Sequence, residues 1–198
     1  MAKAKKGGAI EAIHSWEAVE QMTSRLVKAL VVTFGSLWAV GVHAQATSEN
    51  QVNAITDWSV FEHKDGDKRE CWAVAAAKES VNTRGGQVVA VRRSDVLLMV
   101  SFLPHESVAG QVGFTGGYPF AGGSTVDVTI GDQNFVLITD GEWGWPASSG
   151  DDAKLMAAMK RGADATLSAR SSRGTRTQDT FSLRGFTAAV EDAEQRCK

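Results

Sequence analysis

Two cysteines, Cys71 and Cys197, and four histidines are all that the 198-residue chain has of the residues that most often hold metals, and only His63 and His105 lie beyond residue 44. Neither histidine stands at ligand spacing from another histidine or cysteine, so a zinc site of three or four nitrogen and sulfur ligands is not expected. No Gly-x-Ser-x-Gly occurs, which removes the usual strand-turn-helix presentation of a nucleophilic serine. The glycine-dense run Gly116-Gly117-Tyr118-Pro119-Phe120-Ala121-Gly122-Gly123 lacks the Lys-Ser/Thr of a phosphate loop and precedes a strand pattern, not a helix. Asp65-Gly66-Asp67 is too short for a twelve-residue calcium loop and reads as a turn. His105-Glu106 beside Ser107 are neighbours in sequence, which seldom face one another, and a polar loop after Pro104 is the simpler account. No period of 20 to 50 residues appears, so a repeat array is not expected.

What is present begins with an apolar run over residues 29–42, preceded by Arg25 and Lys28 and followed by Val42-His43-Ala44-Gln45-Ala46. A basic flank, a short apolar stretch and a small-x-small exit describe a secretory signal peptide cleaved after Ala44 or Ala46. The run is shorter than the roughly 20 residues that span a bilayer core and is broken by Gly35, Ser36 and Gly41, so no transmembrane segment is expected in the mature form. Residues 1–21 make a long and partly acidic leader, and Met22 would begin a signal of ordinary proportions. The chain thus divides into residues 1–44 as leader and signal, residues 45–56 as a flexible lead-in, and residues 57–198 as one domain.

The formal charge of the whole chain is -2. Five of its 21 basic and three of its 23 acidic residues precede residue 45, leaving 16 against 20 and a mildly acidic mature chain. That balance excludes general electrostatic attraction to nucleic acid or anionic lipid as the main activity.

In an exported chain two cysteines read as a disulfide, because the compartment is oxidising. A redox-active pair would need Cys-x-x-Cys or a thiolate-stabilising helix start, and neither is present.

Short apolar runs broken by Gly, Asn, Asp and Ser follow. Residues 58–62 read as a strand, and residues 71–76 alternate so that Cys71 and Trp72 take opposite faces. Residues 87–92 and 111–115 read as further strands, and the unbroken apolar run 96–103 as a central buried one stopped by Pro104. Residues 125–130 and 134–139, joined through Gly131-Asp132, carry the strongest hairpin signal, and residues 164–171 and 177–183 form another around Ser172-Arg173-Gly174. Two segments have helical period. Residues 151–161 carry Leu155, Met156 and Met159 on one stripe, with Asp151 and Asp152 in the first turn. In residues 186–197, Phe186, Ala189, Val190, Ala193 and Cys197 fall on one face, which puts the second cysteine where a bridge to Cys71 needs it. Strands at such intervals predict a mainly β domain, a sandwich or barrel, with one short helix and a C-terminal amphipathic helix.

The candidate interaction surface consists of Tyr118, Phe120, Trp143 and Trp145. Tyr118 and Phe120 either shape a bend between strands or form an exposed aromatic contact. Trp143 and Trp145, two apart in an extended segment, point to one side and either plug an end of the domain or face a partner, since Trp is enriched at interface hot spots. Arg161, Arg170, Arg173, Arg176 and Arg184 gather in the last third and read as a solvated strand face, with a ligand patch as the alternative.

The export signal, Trp58-Ser59-Val60 followed by Cys71-Trp72, the glycine-rich middle and the closing Phe181-Ser182-Leu183-Arg184-Gly185-Phe186-Thr187-Ala188-Ala189 resemble the invasion-associated locus B (IalB) family of alphaproteobacteria. The resemblance spans residue 57 to the C-terminus, and its most specific element is the closing Ser-Leu-x-Gly-Phe-x-x-Ala. It implies an exported protein with an immunoglobulin-like antiparallel β-sandwich, first linked to host-cell invasion, and it carries over no catalytic residue. Many members have further cysteines in mid-domain that this chain lacks. The expectation is a periplasmic, secreted or cell-surface binding module with no cofactor and no enzymatic activity, its partner an envelope or extracellular protein or glycan and not nucleic acid. A periplasmic hydrolase using the loop carboxylates Asp140 and Glu142, or a structural envelope component, is the alternative. N-terminal sequencing of the exported protein is expected to start at Gln45 or Thr47; a precursor trapped by a signal-peptidase inhibitor is expected to begin at Met22, and a peptide from residues 1–21 would refute that start.

Overall fold

A computed structural model describes residues 50–198. The expected signal segment and its cleavage positions lie outside the described residues. Twelve strands run in chain order as β1 (Gln51–Ile55), β2 (Trp58–Asp65), β3 (Lys68–Ala76), β4 (Glu79–Arg84), β5 (Gln87–Val88), β6 (Leu97–Leu103), β7 (Val108–Thr115), β8 (Thr125–Ile130), β9 (Gln133–Asp140), β10 (Trp143–Trp145), β11 (Asp164–Arg170) and β12 (Arg176–Ser182). Two helices complete it, α1 (Ser149–Met159) before β11 and α2 (Phe186–Arg196) at the end. The strands pair antiparallel in the order β1-β2-β3-β6-β7-β10-β9-β8-β11-β12-β4-β5.

The fold is the expected antiparallel β-sandwich, its two layers being halves of one continuous sheet turned over on itself. The turn is made where β3 passes through Ala77 and Lys78 into β4, which leaves β2 and β6 behind and pairs instead with β12. Between the layers Val60, Ala73, Val100 and Phe114 meet Val126, Val128, Leu167 and Phe181, with the Phe114 and Phe181 rings edge-on at 6.0 Å. Strict alternation puts these side chains inward, as in β8, where Val126, Val128 and Ile130 are buried and Thr125, Asp127 and Thr129 exposed.

The C-terminal helix packs its apolar stripe against the inner side of β2 and β3: Phe186, Ala189, Val190 and Ala193 are buried, and the Phe186 ring meets Trp58 edge-on at 4.9 Å. Trp58 donates its indole N–H to the Ser182 carbonyl at 3.0 Å, so burying it leaves no orphan donor. Cys71, fully buried on β3, and Cys197 at the helix end are joined by a disulfide with Cα atoms 6.0 Å apart. Around this tie Arg196 reaches Glu62 at 3.5 Å and Asp192 at 2.8 Å, and Arg69 donates to the Arg196 carbonyl at 2.7 Å.

The other helix is capped by Ser148, whose hydroxyl accepts the Asp151 N–H. It covers a gap in the sheet. Strand β10 pairs with β7 only at Phe114 and Thr115, and further upstream the buried Asp152 carboxylate accepts the Val112 N–H at 2.8 Å, standing in for a missing strand. Burial pushes the Asp152 carboxyl above its ordinary value against the lowering effect of that hydrogen bond.

Three expectations need correction, and one strand was not expected. Residues 51–55, expected within a flexible lead-in, form β1, held to β2 by backbone pairing, with Asn53 donating to Asp192 at 2.8 Å. Residues 79–84, which carry no apolar alternation, form β4. The expected strand 87–92 shortens to β5. The run 96–103 is central in the sheet but not buried on both sides, since Leu97, Met99 and Ser101 are only partly covered while Leu98, Val100 and Phe102 are buried.

Replacing Cys71 and Cys197 together by Ala removes a restraint on a loop of 126 residues, which is worth roughly 2–5 kcal/mol. Calorimetry of the variant is expected to show a lower Tm with the β-sheet circular dichroism kept; an unchanged Tm would mean that the bond restrains nothing.

Candidate interaction surface

The glycine-rich corner after β7 faces inward. Phe120 is buried, 5.2 Å from the Tyr118 ring and 6.0 Å from Phe114, and half-buried Tyr118 bonds through its hydroxyl to that of Thr177. Burial holds the Tyr118 phenol above its ordinary value. These two members of the sequence-derived surface therefore shape the bend and are not a free aromatic contact. Gly117 (φ +70°) makes the bend possible: a Cβ there would lie 2.4 Å from the Ser94 carbonyl oxygen.

Beside this corner is a buried ion pair that no local sequence pattern signals. Arg93 and Asp179 are 8% and 0% exposed, and the Arg93 Nη1 and Nη2 donate to the two Asp179 carboxylate oxygens at 2.8 and 2.6 Å. Arg93 Nε donates to the Gly116 carbonyl at 2.8 Å, Nη1 also to Asn82 Oδ1 at 3.1 Å, and Ser80 donates its hydroxyl to Asp179 at 2.6 Å. The guanidinium lies 5.0 Å from the Tyr118 ring centroid. The two charges are matched to each other and held by polar neighbours, so the cluster fastens residues 89–96 to β4 and β12.

The Trp143-Gly144-Trp145 segment is different. It forms β10, with Gly144 buried and both tryptophans half-buried on the outer side. A Cβ on Gly144 would meet Val126 and Leu137 at 3.4 and 3.5 Å, ordinary contact distances, so this position faces the core while Trp143 and Trp145 point away from it. Trp143 packs beside Met99 across Gly113 on the same outer face. Register fixes what else stands there: Met99 opposes Val74, Trp72 opposes Phe61, and Trp145 opposes Ile138. Phe61, Trp72, Val74 and Met99 are partly exposed, and Val136 and Ile138 are 54% and 45% exposed. Among the described residues α2 packs on the inner side of β2 and β3 and so leaves this side uncovered, while α1 packs on β7 and borders the face only near Val136 and Ile138.

Where the aromatic face ends at β9, a groove of about 440 Å³ opens between that strand and the start of α1, lined by Val136, Ile138, Pro146, Asp151, Lys154 and their neighbours. Asp140 and Glu142, the carboxylates of the hydrolase alternative, flank the β9–β10 turn and do not line it. His105 lies 3.5 Å from both Glu70 and Glu106. Among the described residues no three His, Cys, Asp or Glu side chains gather to hold a metal ion.

The fold and this surface define a class: a β-sandwich with its C-terminal helix clamped by a disulfide, and a partly exposed aromatic sheet face. The family model described as invasion associated locus B (IalB) protein matches residues 58–194, from the start of β2 into α2, and the chain belongs to that family. A solved structure, invasion associated protein b from Bartonella henselae, is similar at 16% identity over 71% of this chain and 92% of that one, with a TM-score of 0.46. The comparison with curated proteins gives no match.

Truncating Arg93 to Ala would strand the Asp179 carboxylate in the interior, a cost of about 3–5 kcal/mol. Urea unfolding is expected to show that loss for R93A, with much of it recovered in the double variant Arg93→Met and Asp179→Leu. Additive losses in the double variant would contradict the pairing.

Proposed function

We propose that this protein is an exported, non-enzymatic interaction module of the bacterial envelope that captures a protein or glycan partner on the outer face of β3, β6 and β10. One observation carries the reading: Trp72, Met99, Trp143 and Trp145 stand together, partly exposed, on one sheet face, and among the described residues α2 lies on the opposite side. Contiguous apolar surface of this kind is costly to leave in water and marks interaction sites on stable domains. Tryptophan and methionine suit the task, the first as a rigid anchor with a polar N–H and the second as an adaptable filler. Export is supported by the Cys71–Cys197 disulfide, a bond that persists in oxidising compartments. No helix among the described residues is long and apolar enough to cross a membrane.

The test separates folding from capture. Trp143→Ala and Trp145→Ala remove side chains from the outer face, so each variant is expected to keep its Tm within a few degrees and its oxidised disulfide. A photo-crosslinking residue at Met99 is expected to trap one discrete species in cells, and the same residue at Gln178 on the other layer is not. Both Trp variants should weaken that capture by roughly 30-fold, the effect of losing a hot-spot side chain of about 2 kcal/mol. Undiminished capture by a folded double variant would sink the assignment of this face, and collapse of the fold would place the tryptophans among the core.

A further inference from the structure

The outer face of the other layer carries a second surface of different chemistry. One row crosses four strands: Val88 on β5 opposes Thr83 on β4, Thr83 opposes Arg176 on β12, and Arg176 opposes Arg170 on β11. Directly paired residues share a face, so all four side chains rise on the same side. Val88 is the most exposed large apolar residue described, at 77%, and Arg170 and Arg176 are both exposed. Arg173 stands just beyond the row at the tip of the β11–β12 hairpin.

This arrangement is unfavourable for the domain alone. Arg170 and Arg176 are like charges in direct cross-strand register, which lowers sheet stability. Among the described residues no carboxylate forms an ion pair with Arg170, Arg173 or Arg176. The nearest by register is Asp127 on β8, which opposes Ser168 two positions along β11. The sheet places a nearly bare valine at the end of the same row. Unpaired guanidiniums match phosphate oxygens in fork geometry, and an apolar side chain exposed beside them fits the apolar layer that lies behind the phosphates of a membrane.

The geometry points to an anionic lipid surface as the occupant, with the tips of the β11–β12 and β4–β5 hairpins resting on phosphate headgroups and Val88 entering the boundary with the acyl chains. Cations beside a short apolar insertion are the two signals that hold a protein on a membrane surface. A soluble polyanion would satisfy the arginines and leave Val88 in water. The mildly acidic balance of the mature chain does not oppose this, because charges more than about 8 Å away are screened at physiological salt and the row acts locally.

The experiment is co-sedimentation of the protein, as the cell processes it, with vesicles of phosphatidylglycerol mixed into phosphatidylcholine and with vesicles of phosphatidylcholine alone. Binding is expected on the mixed vesicles and is expected to fall as NaCl rises. Arg170→Ser and Arg176→Ser should each lower the partition roughly fivefold, and Val88→Ser should lower it at any salt. Any leader still on the chain carries basic residues of its own and adds equally to parent and variants, so the part that depends on Arg170, Arg176 and Val88 is the readout. Equal binding to the two vesicles, or a folded double arginine variant that binds as the parent does, would overturn the proposal. Retention on dextran sulfate without vesicle binding would overturn it too, since the occupant would then be a soluble polyanion. W143A leaves this binding unchanged, so its outcome is separate from that of partner capture on the aromatic face.

Discussion

A sheet that folds over on itself leaves a mouth where its two layers part, and here the C-terminal helix is held in that mouth by the bond between Cys71 and Cys197. The helix alone is short, and eleven residues in water form only marginal helix. Its stability comes from burying Phe186, Ala189, Val190 and Ala193 against Trp58 and the inner sides of β2 and β3, and the bond makes that docking permanent. The consequence reaches the far side of the sheet. With α2 committed to the inner side of β2 and β3, it leaves Trp72, Met99 and Trp143 partly exposed on the other side.

At the opposite corner the fold uses charge where it could have used oil. Arg93 and Asp179 fill the space between residues 89–96, β4 and β12, and beyond their mutual bonds Arg93 donates to Asn82 and Gly116 while Asp179 accepts from Ser80. An apolar plug of the same volume would often be as stable, but it would tolerate several positions of the loop. The bidentate pair permits one, and Tyr118 beneath the guanidinium is fixed with it.

Those two devices explain which parts of the molecule were legible in the sequence. Hairpins β8–β9 and β11–β12 announce themselves because their alternation is strict and their turns carry Gly131 and Gly174. The two helices do so through stripes that end at a cap, and Cys197 falls on the stripe that faces Cys71. Strand β4 was illegible for a physical reason: its inward positions are Ser80 and Asn82, polar because they serve Asp179 and Arg93, so alternation has nothing apolar to show. The pair itself is separated by 86 residues, and no local pattern encodes such a contact. Strand β1 carries only Ile55 toward the core and depends on backbone pairing with β2. The candidate surface was half legible. Spacing put Trp143 and Trp145 on one side, but only register reveals that Met99, Val74 and Trp72 share it, while Phe120 turns inward.

The family, the sandwich and the clamp thus converge on a scaffold whose interior is closed and whose two outer faces differ, one aromatic and one studded with unpaired arginine. Everything rests on α2 being covalently fixed in the mouth of the sheet in native material. Peptide mapping without reduction, on protein purified from cells under alkylating conditions, reads that directly. The account predicts one linked peptide pair containing Cys71 and Cys197 and no alkylated thiol; recovery of both cysteines as alkylated, unlinked peptides would contradict it.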